Sequence, residues 1–163
     1  MNTIFQRRTT VGLLACAIAV ILPTCAGPAD RIVAKVIEVG TFEVGPGQPG
    51  SRETHFTTHS NSVTARLGSK FGFRFTLNNL PRVASFDLKT AVTHPAFRNK
   101  DGNIETHYEL ITTVPVENGS STSVTGYSFD HPEELAPGVW TFEHSYHGKT
   151  LVKQTFTVRP ASS

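Results

Sequence analysis

The sequence predicts an all-β antiparallel sandwich of about seven or eight strands. Three observations point there. Apolar and polar residues alternate with a period of two through much of the chain, turn-forming clusters punctuate those runs, and no segment carries a helical period of useful length.

The first segment stands outside that sandwich. Val11 to Leu22 is an uncharged apolar run behind Arg7 and Arg8 and ahead of Pro23-Thr24-Cys25-Ala26, the layout of a secretory signal peptide. A bilayer-spanning helix needs about 20 apolar residues, and this run stops well short of that at Pro23. Cleavage is therefore expected rather than anchorage. Small side chains at the first and third positions before the cut leave two sites, after Ala26 or after Ala29. Residues 1–26 are read as the leader and residues 30–163 as a single domain, periplasmic or secreted, which meets the membrane only during export. A lesser reading takes Leu22-Pro23-Thr24-Cys25 as a lipoprotein box with Cys25 lipidated, although Thr stands where Gly, Ala or Ser is usual. Arg7-Arg8 suits an ordinary basic start better than a twin-arginine signal, because Thr9-Thr10 follows where that signal wants a bulky apolar residue.

Losing the leader changes the composition. Cys16 and Cys25 are the two cysteines of the chain, so the mature domain has no disulfide, thiol nucleophile or thiolate metal site. The net charge of +2 also disappears with Arg7 and Arg8, since all 13 acidic residues lie at or beyond Asp30. A neutral domain with interspersed charges carries no footprint for nucleic acid or an anionic membrane. About 135 residues remain, enough to bury one core without cross-links.

In chain order, Val33 to Val44 opens the β-rich sequence, and Gly45 to Ser51 reads as a long surface loop between strands. Val63 to Leu67 follows, ending at the turn Gly68-Ser69. Phe71, Phe73, Phe75 and Leu77 alternate with Lys70, Gly72, Arg74 and Thr76, so one face of that strand is core. After Asn78-Asn79-Leu80-Pro81, Phe86 and Leu88 alternate with Asp87 and Lys89. Ile104 to Val116 and Ser123 to Phe129 are further runs, bounded by the turn clusters Asn99 to Asn103 and Asn118-Gly119-Ser120. His131 to Ala136 suits one short helical turn capped by Asp130.

The last thirty residues form a hairpin. Trp140, Phe142, His144 and Tyr146 share one parity, and Val152, Phe156 and Val158 share the same parity on the returning strand. A two-residue turn would set Phe142 against Lys153, so an odd loop, Tyr146-His147-Gly148 with Gly148 left-handed, is expected. That register opposes Phe142 to Val152 and Trp140 to Gln154, leaving Gln154 as the residue on that face that needs explaining, at a place where the core meets a loop end.

Pro137-Gly138-Val139-Trp140-Thr141-Phe142 through Gly148-Lys149 to Phe156-Thr157-Val158 resembles the closing hairpin of secreted immunoglobulin-like sandwiches. With its leader and length, the chain resembles a bacterial family of small exported domains of unknown function with that immunoglobulin-like fold, over Ile32 to Val158. The resemblance brings no catalytic residues, and the Cys…Trp…Cys core pattern of antibody domains is absent.

The chemistry is sparse. Seven histidines invite a metal site, and His55 with His59, or His144 with His147, are the candidate pairs. His144 and His147 are separated by an odd number and face opposite ways on a strand, and the surroundings of His55 and His59 read as a polar edge. No metal or other cofactor is therefore expected, and the mature chain also lacks the methionines of sandwich-fold copper carriers. Gly126-Tyr127-Ser128-Phe129-Asp130 lacks the second glycine of a nucleophile elbow, and adjacent Glu133 and Glu134 read as a solvated turn rather than an acid/base pair. No catalytic residue is assigned. Among the aromatics Trp140 belongs with the core, while Tyr146 and Tyr127 are candidates for surface contact.

The expected function is that of an exported, non-catalytic binding or accessory module of the cell envelope, with an envelope protein or glycan as partner. A periplasmic metal or small-ligand carrier using His residues is the alternative, and a secreted hydrolase the third reading.

Overall fold

Alternation decides where each strand sits. A computed structural model describes residues 31–46, 52–99 and 101–161, so the leader and its cleavage sites lie outside the described residues. Nine strands are present among them: β1 (Val33–Pro46), β2 (Arg52–Phe56), β3 (Ser62–Thr64), β4 (Lys70–Asn78), β5 (Ser85–Arg98), β6 (Ile104–Pro115), β7 (Ser121–Ser128), β8 (Gly138–Tyr146) and β9 (Lys149–Arg159). They form a four-stranded sheet in the order β2-β1-β4-β7 and a five-stranded sheet in the order β3-β9-β8-β5-β6. Every pair is antiparallel except β3 with β9, a three-residue parallel contact. No described helix is long and apolar enough to cross a membrane.

The core lies between the sheets. From β4 it takes Phe71, Phe73, Phe75 and Leu77, all at 0% exposure as their parity requires. From β8 and β9 come Trp140, Phe142, Val152, Phe156 and Val158, and from β5 Phe86, Leu88 and Val92. Phe71 is the hub, with the rings of Phe156, Phe129 and Trp140 centred 5.1, 5.3 and 5.7 Å away. Burying one such ring contributes about 1.5 to 3 kcal/mol.

Two register shifts change which parity faces inward. In β1 the shift at Ile37 turns that side chain to solvent, at 44% exposure, and moves the inward set from Ala34 and Val36 to Val39. In β5 a wider irregularity falls between Thr93 and Phe97, where Pro95 has no N–H to give the ladder. It leaves His94 inward, with the even residues before it, and brings the odd residue Phe97 inward as well.

The closing hairpin corrects the expected register. Tyr146 pairs with Lys149, so the turn has two residues, His147 and Gly148, both left-handed at φ 48° and 77°. Parity is restored one step later. Ser145 pairs with Thr150 but His144 pairs with Val152, so Leu151 is an extra residue in β9. Phe142 therefore opposes Gln154, not Val152, and Trp140 opposes Phe156, not Gln154. Even residues still meet even residues; a bulge achieves it where an odd loop was expected.

The short turn before β8 also differs in detail. Pro132–Glu134 is a 3-10 turn whose cap position is His131, not Asp130. Glu134 Oε2 reaches back to accept the backbone N–H groups of Asp130 and His131 at 2.8 and 3.0 Å. Asp130 instead accepts the Ser128 hydroxyl at 2.7 Å.

Candidate functional site

β6 and β7 are the outermost strands of their sheets on the same side of the sandwich, so a seam opens between them. The strand sequences explain what lines it. From Tyr108 to Val114 the even residues of β6 face inward, and Val114, deep in the seam, is buried at 1% exposure. Toward the open end Tyr108 is half-buried and Leu110, though lining the seam, is 45% exposed. Across from them lie Val124, Thr125 and Gly126 of β7.

The seam widens into a cleft of about 340 Å³ where β7 runs into the 3-10 turn. Its apolar walls are Phe97, Tyr108 and Tyr127. The Phe97 ring is available because of the Pro95 irregularity. Tyr127 is held by the Trp140 indole, 4.7 Å away between centroids. Trp140 itself is fully buried and donates its Nε1–H to the Ala136 carbonyl at 3.1 Å.

The rim is acidic. Asp101, Glu105, Glu133 and Glu134 line the cleft, against Arg98 and His131. Arg98 donates to the Gly102 carbonyl, and Asn99 Nδ2 donates to Glu105 Oε2 at 3.2 Å. Asn99 also shapes the β5–β6 loop, since its Oδ1 accepts the N–H groups of Asp101 and Asn103. Burial, with the charges of Glu105 and Glu134 behind it, pushes the Tyr108 phenol up to about 12. Burial, and after it the charge of the nearby Glu134 carboxylate, raise the Tyr127 phenol as well. Both tyrosines therefore stay protonated near neutral pH and offer ring faces and O–H groups, not phenolate bases.

His94 lies behind these walls at 3% exposure, its ring 4.5 Å from Phe97, 4.9 Å from Trp140 and 5.9 Å from Tyr108. Nδ1 sits 2.9 Å from the Pro95 carbonyl, which can only accept, so Nδ1 carries the proton. Nε2 is then a buried acceptor with no partner among the described residues.

The structure separates the candidate histidines. His144 is fully buried, with Nδ1 2.8 Å from Thr90 Oγ1 and Nε2 2.8 Å from Thr125 Oγ1, so neither nitrogen is free for a metal. His147 is exposed at the hairpin turn with its ring 4.2 Å from Tyr146, and His55 lies 3.7 Å from Glu53 at the edge strand β2. His59 is exposed in the segment after β2. Among the described residues no three His, Cys, Asp or Glu side chains group as metal ligands. Tyr146 packs on Phe86, 4.5 Å between centroids, and remains half-buried, so of the two surface candidates Tyr127 is the one that lines a cleft.

A larger hollow, about 620 Å³, lies at the far edge against β2 and β3. There the hydroxyls of Thr41, Thr57 and Thr58 bond one another at 2.8 to 2.9 Å. Those three hydroxyls are thus already paired, whereas the β6–β7 cleft sets aromatic ring faces beside carboxylates.

Sequence reasoning missed His94, Phe97, Tyr108 and Glu105. The available signal was the His94-Pro95 interruption in a strand that otherwise alternates cleanly from Phe86 to Val92.

Residues 30–158 match the family described as Domain of unknown function (DUF3859). An immunoglobulin-like protein from Pseudomonas aeruginosa is similar in structure, with a TM-score of 0.63 and 25% identity over 82% of this chain and 100% of that one. The alkylpurine DNA glycosylase AlkC of Pseudomonas fluorescens, bound to DNA containing an abasic site analog, matches at a TM-score of 0.41 and 12% identity over 79% of this chain and 30% of that one, too low to carry an argument. No curated protein sequence matches the chain.

Proposed function

The chain belongs to the DUF3859 family and has an immunoglobulin-like fold, and from that premise we propose that it is an exported, non-catalytic binding module of the bacterial cell envelope. The observation that carries the reading is the cleft between β6 and β7, where Phe97, Tyr108 and Tyr127 stand open beside four carboxylates. Amphipathic aromatics at a partly open site supply contact area at low entropic cost. Support for export comes from the basic start, the apolar run Val11 to Leu22 and the small residues after it. The raised Tyr108 and Tyr127 phenols favour recognition over base catalysis.

The test pairs fractionation with capture. The purified envelope protein is expected to begin at Gly27 or Asp30; an intact Met1 overturns export, and a lipidated Cys25 replaces release with anchorage. The wild-type domain, used as bait on native envelope extract, is expected to retain a partner that the Glu133→Lys domain releases. Glu133 is exposed, so this change leaves the fold in place. Equal capture by both baits removes the cleft from the reading.

A further inference from the structure

β7 is an undefended sheet edge. Exposed edges are usually blunted by shortness, charge, proline or a bulge, because their unpaired N–H and C=O groups template another strand. Among the described edge strands, β2 has five residues and β3 three, while β6 carries Glu105, His107 and Glu109 beside a broken register. β7 differs on each count. Ser121 to Ser128 contains no charged residue and no proline, and it pairs with β4 without a register shift from Lys70 to Leu77. Among the described residues no strand lies on its other side.

The space beside that edge is shaped for an occupant. Openings of about 250, 210 and 340 Å³ follow the seam from Ser121 and Thr122, past Leu110, Val124 and Gly126, to Tyr108 and Tyr127. Leu110 lines this seam yet is 45% exposed, so apolar surface there lacks a cover among the described residues. From Thr122 to Tyr127 the edge measures about 17 Å at about 3.4 Å per step, the reach of some six extended residues. At one end stand Asp101, Glu105, Glu133 and Glu134, while Arg98 is tied to the Gly102 carbonyl.

We propose that the seam takes an extended peptide segment of a partner protein, added to the free edge of β7 as a fifth strand of its sheet, with a Lys or Arg side chain entering the acidic aromatic cleft. Strand addition satisfies the β7 backbone groups and covers Leu110, and a cation over the Tyr108, Tyr127 and Phe97 rings is attracted both to their faces and to the carboxylates. The inference rests on the binding reading above and names the occupant of the same site.

Two acetylated, amidated hexapeptides of alternating Val and Thr, one with Lys at the first position and one with Lys at the last, serve as probes for the isotopically labelled mature domain. At least one is expected to shift the amide resonances of Thr122 to Tyr127 and slow their hydrogen exchange. Replacing its Lys by norleucine, or Glu133 of the domain by Lys, is expected to weaken binding about tenfold or more, the loss typical of one desolvated ion pair. Leu110→Asp, at an exposed position that leaves the core intact, is expected to abolish it. Butylammonium is the small-cation control. If it shifts the Tyr108 and Tyr127 resonances while neither peptide protects β7, strand addition fails and cleft binding survives. If no probe binds, the inference is overturned, while the envelope capture still decides the binding reading by itself. A concentration-dependent dimer protected at the same amides would put a second copy of the chain in the seam and also overturn it.

Discussion

His144 is fully buried between two sheets and held by a threonine from each, Thr90 of β5 and Thr125 of β7. Thr112 of β6 extends the chain, 2.6 Å from Thr90 Oγ1. A neutral imidazole has one donor and one acceptor nitrogen, which suits two hydroxyls. Phe75 and Phe73 pack against the ring at 4.8 and 5.8 Å, so a charge there would have no water. Burial accordingly pushes its pKa down to about 4 from 6.5. The unfolded chain takes up this proton near pH 6.5 and the folded one only near pH 4. Stability attached to His144 is therefore complete above about pH 6.5 and lost as pH falls through the folded value, by about 3 kcal/mol at pH 4. Urea titrations at pH 7 and pH 4 check this: the wild type should lose about 3 kcal/mol more than His144→Gln, which keeps a donor and an acceptor but does not titrate. Equal losses would mean that the ring is charged, or hydrated, inside the fold.

The β8–β9 hairpin shows how an element solves a register problem that its sequence poses. Two left-handed residues in a two-residue turn match the strand twist, a geometry that favours Asn-Gly. Here His147 takes the position Asn prefers. No described atom lies within 4 Å of a Cβ added at Gly148, so substitution there acts chiefly through backbone conformation. Gly148→Val is expected to cost about 1 to 2 kcal/mol, and His147→Asn to gain about 0.5 kcal/mol, both read from denaturant midpoints. A three-residue loop with a relaxed His147 would leave the Asn variant no gain, so the pair of variants distinguishes the two geometries. Parity was legible in the sequence because burial enforces it: Phe142, His144, Val152 and Phe156 all face the core. The device was not, since a bulge at Leu151 and an odd loop satisfy parity equally and differ only in backbone pairing. The same limit hid the cleft. Phe97 reads as an outward residue until Pro95 breaks the register, and nothing local tells how many residues that break absorbs. Glu134 likewise looked solvated beside Glu133, whereas it closes the 3-10 turn and lines the cleft.

Across the whole molecule, core and cleft share Trp140. Its ring contacts Phe71 and Phe129 on the core side, at 5.7 and 5.8 Å, and Tyr127 and His94 on the cleft side, at 4.7 and 4.9 Å. Leu77 is buried as completely but lies six residues along β4 from Phe71, roughly 20 Å at about 3.4 Å per residue. Trp140→Ala is expected to cost about 3 to 5 kcal/mol and Leu77→Ala about 2 to 5 kcal/mol. Against a total of about 5 to 15 kcal/mol, both variants should remain folded enough to measure at low temperature. Their cleft signatures should differ. Loss of the indole frees the Tyr127 ring and opens the wall in front of His94, so the Tyr108 and Tyr127 ring resonances should move in Trp140→Ala and hold still in Leu77→Ala. Denaturant titration with aromatic-proton spectra tests both halves. A Trp140→Ala domain as stable as its parent would remove the indole from the core, and equal tyrosine shifts in the two variants would mean that the cleft answers to general loosening of the sandwich and not to its shared wall.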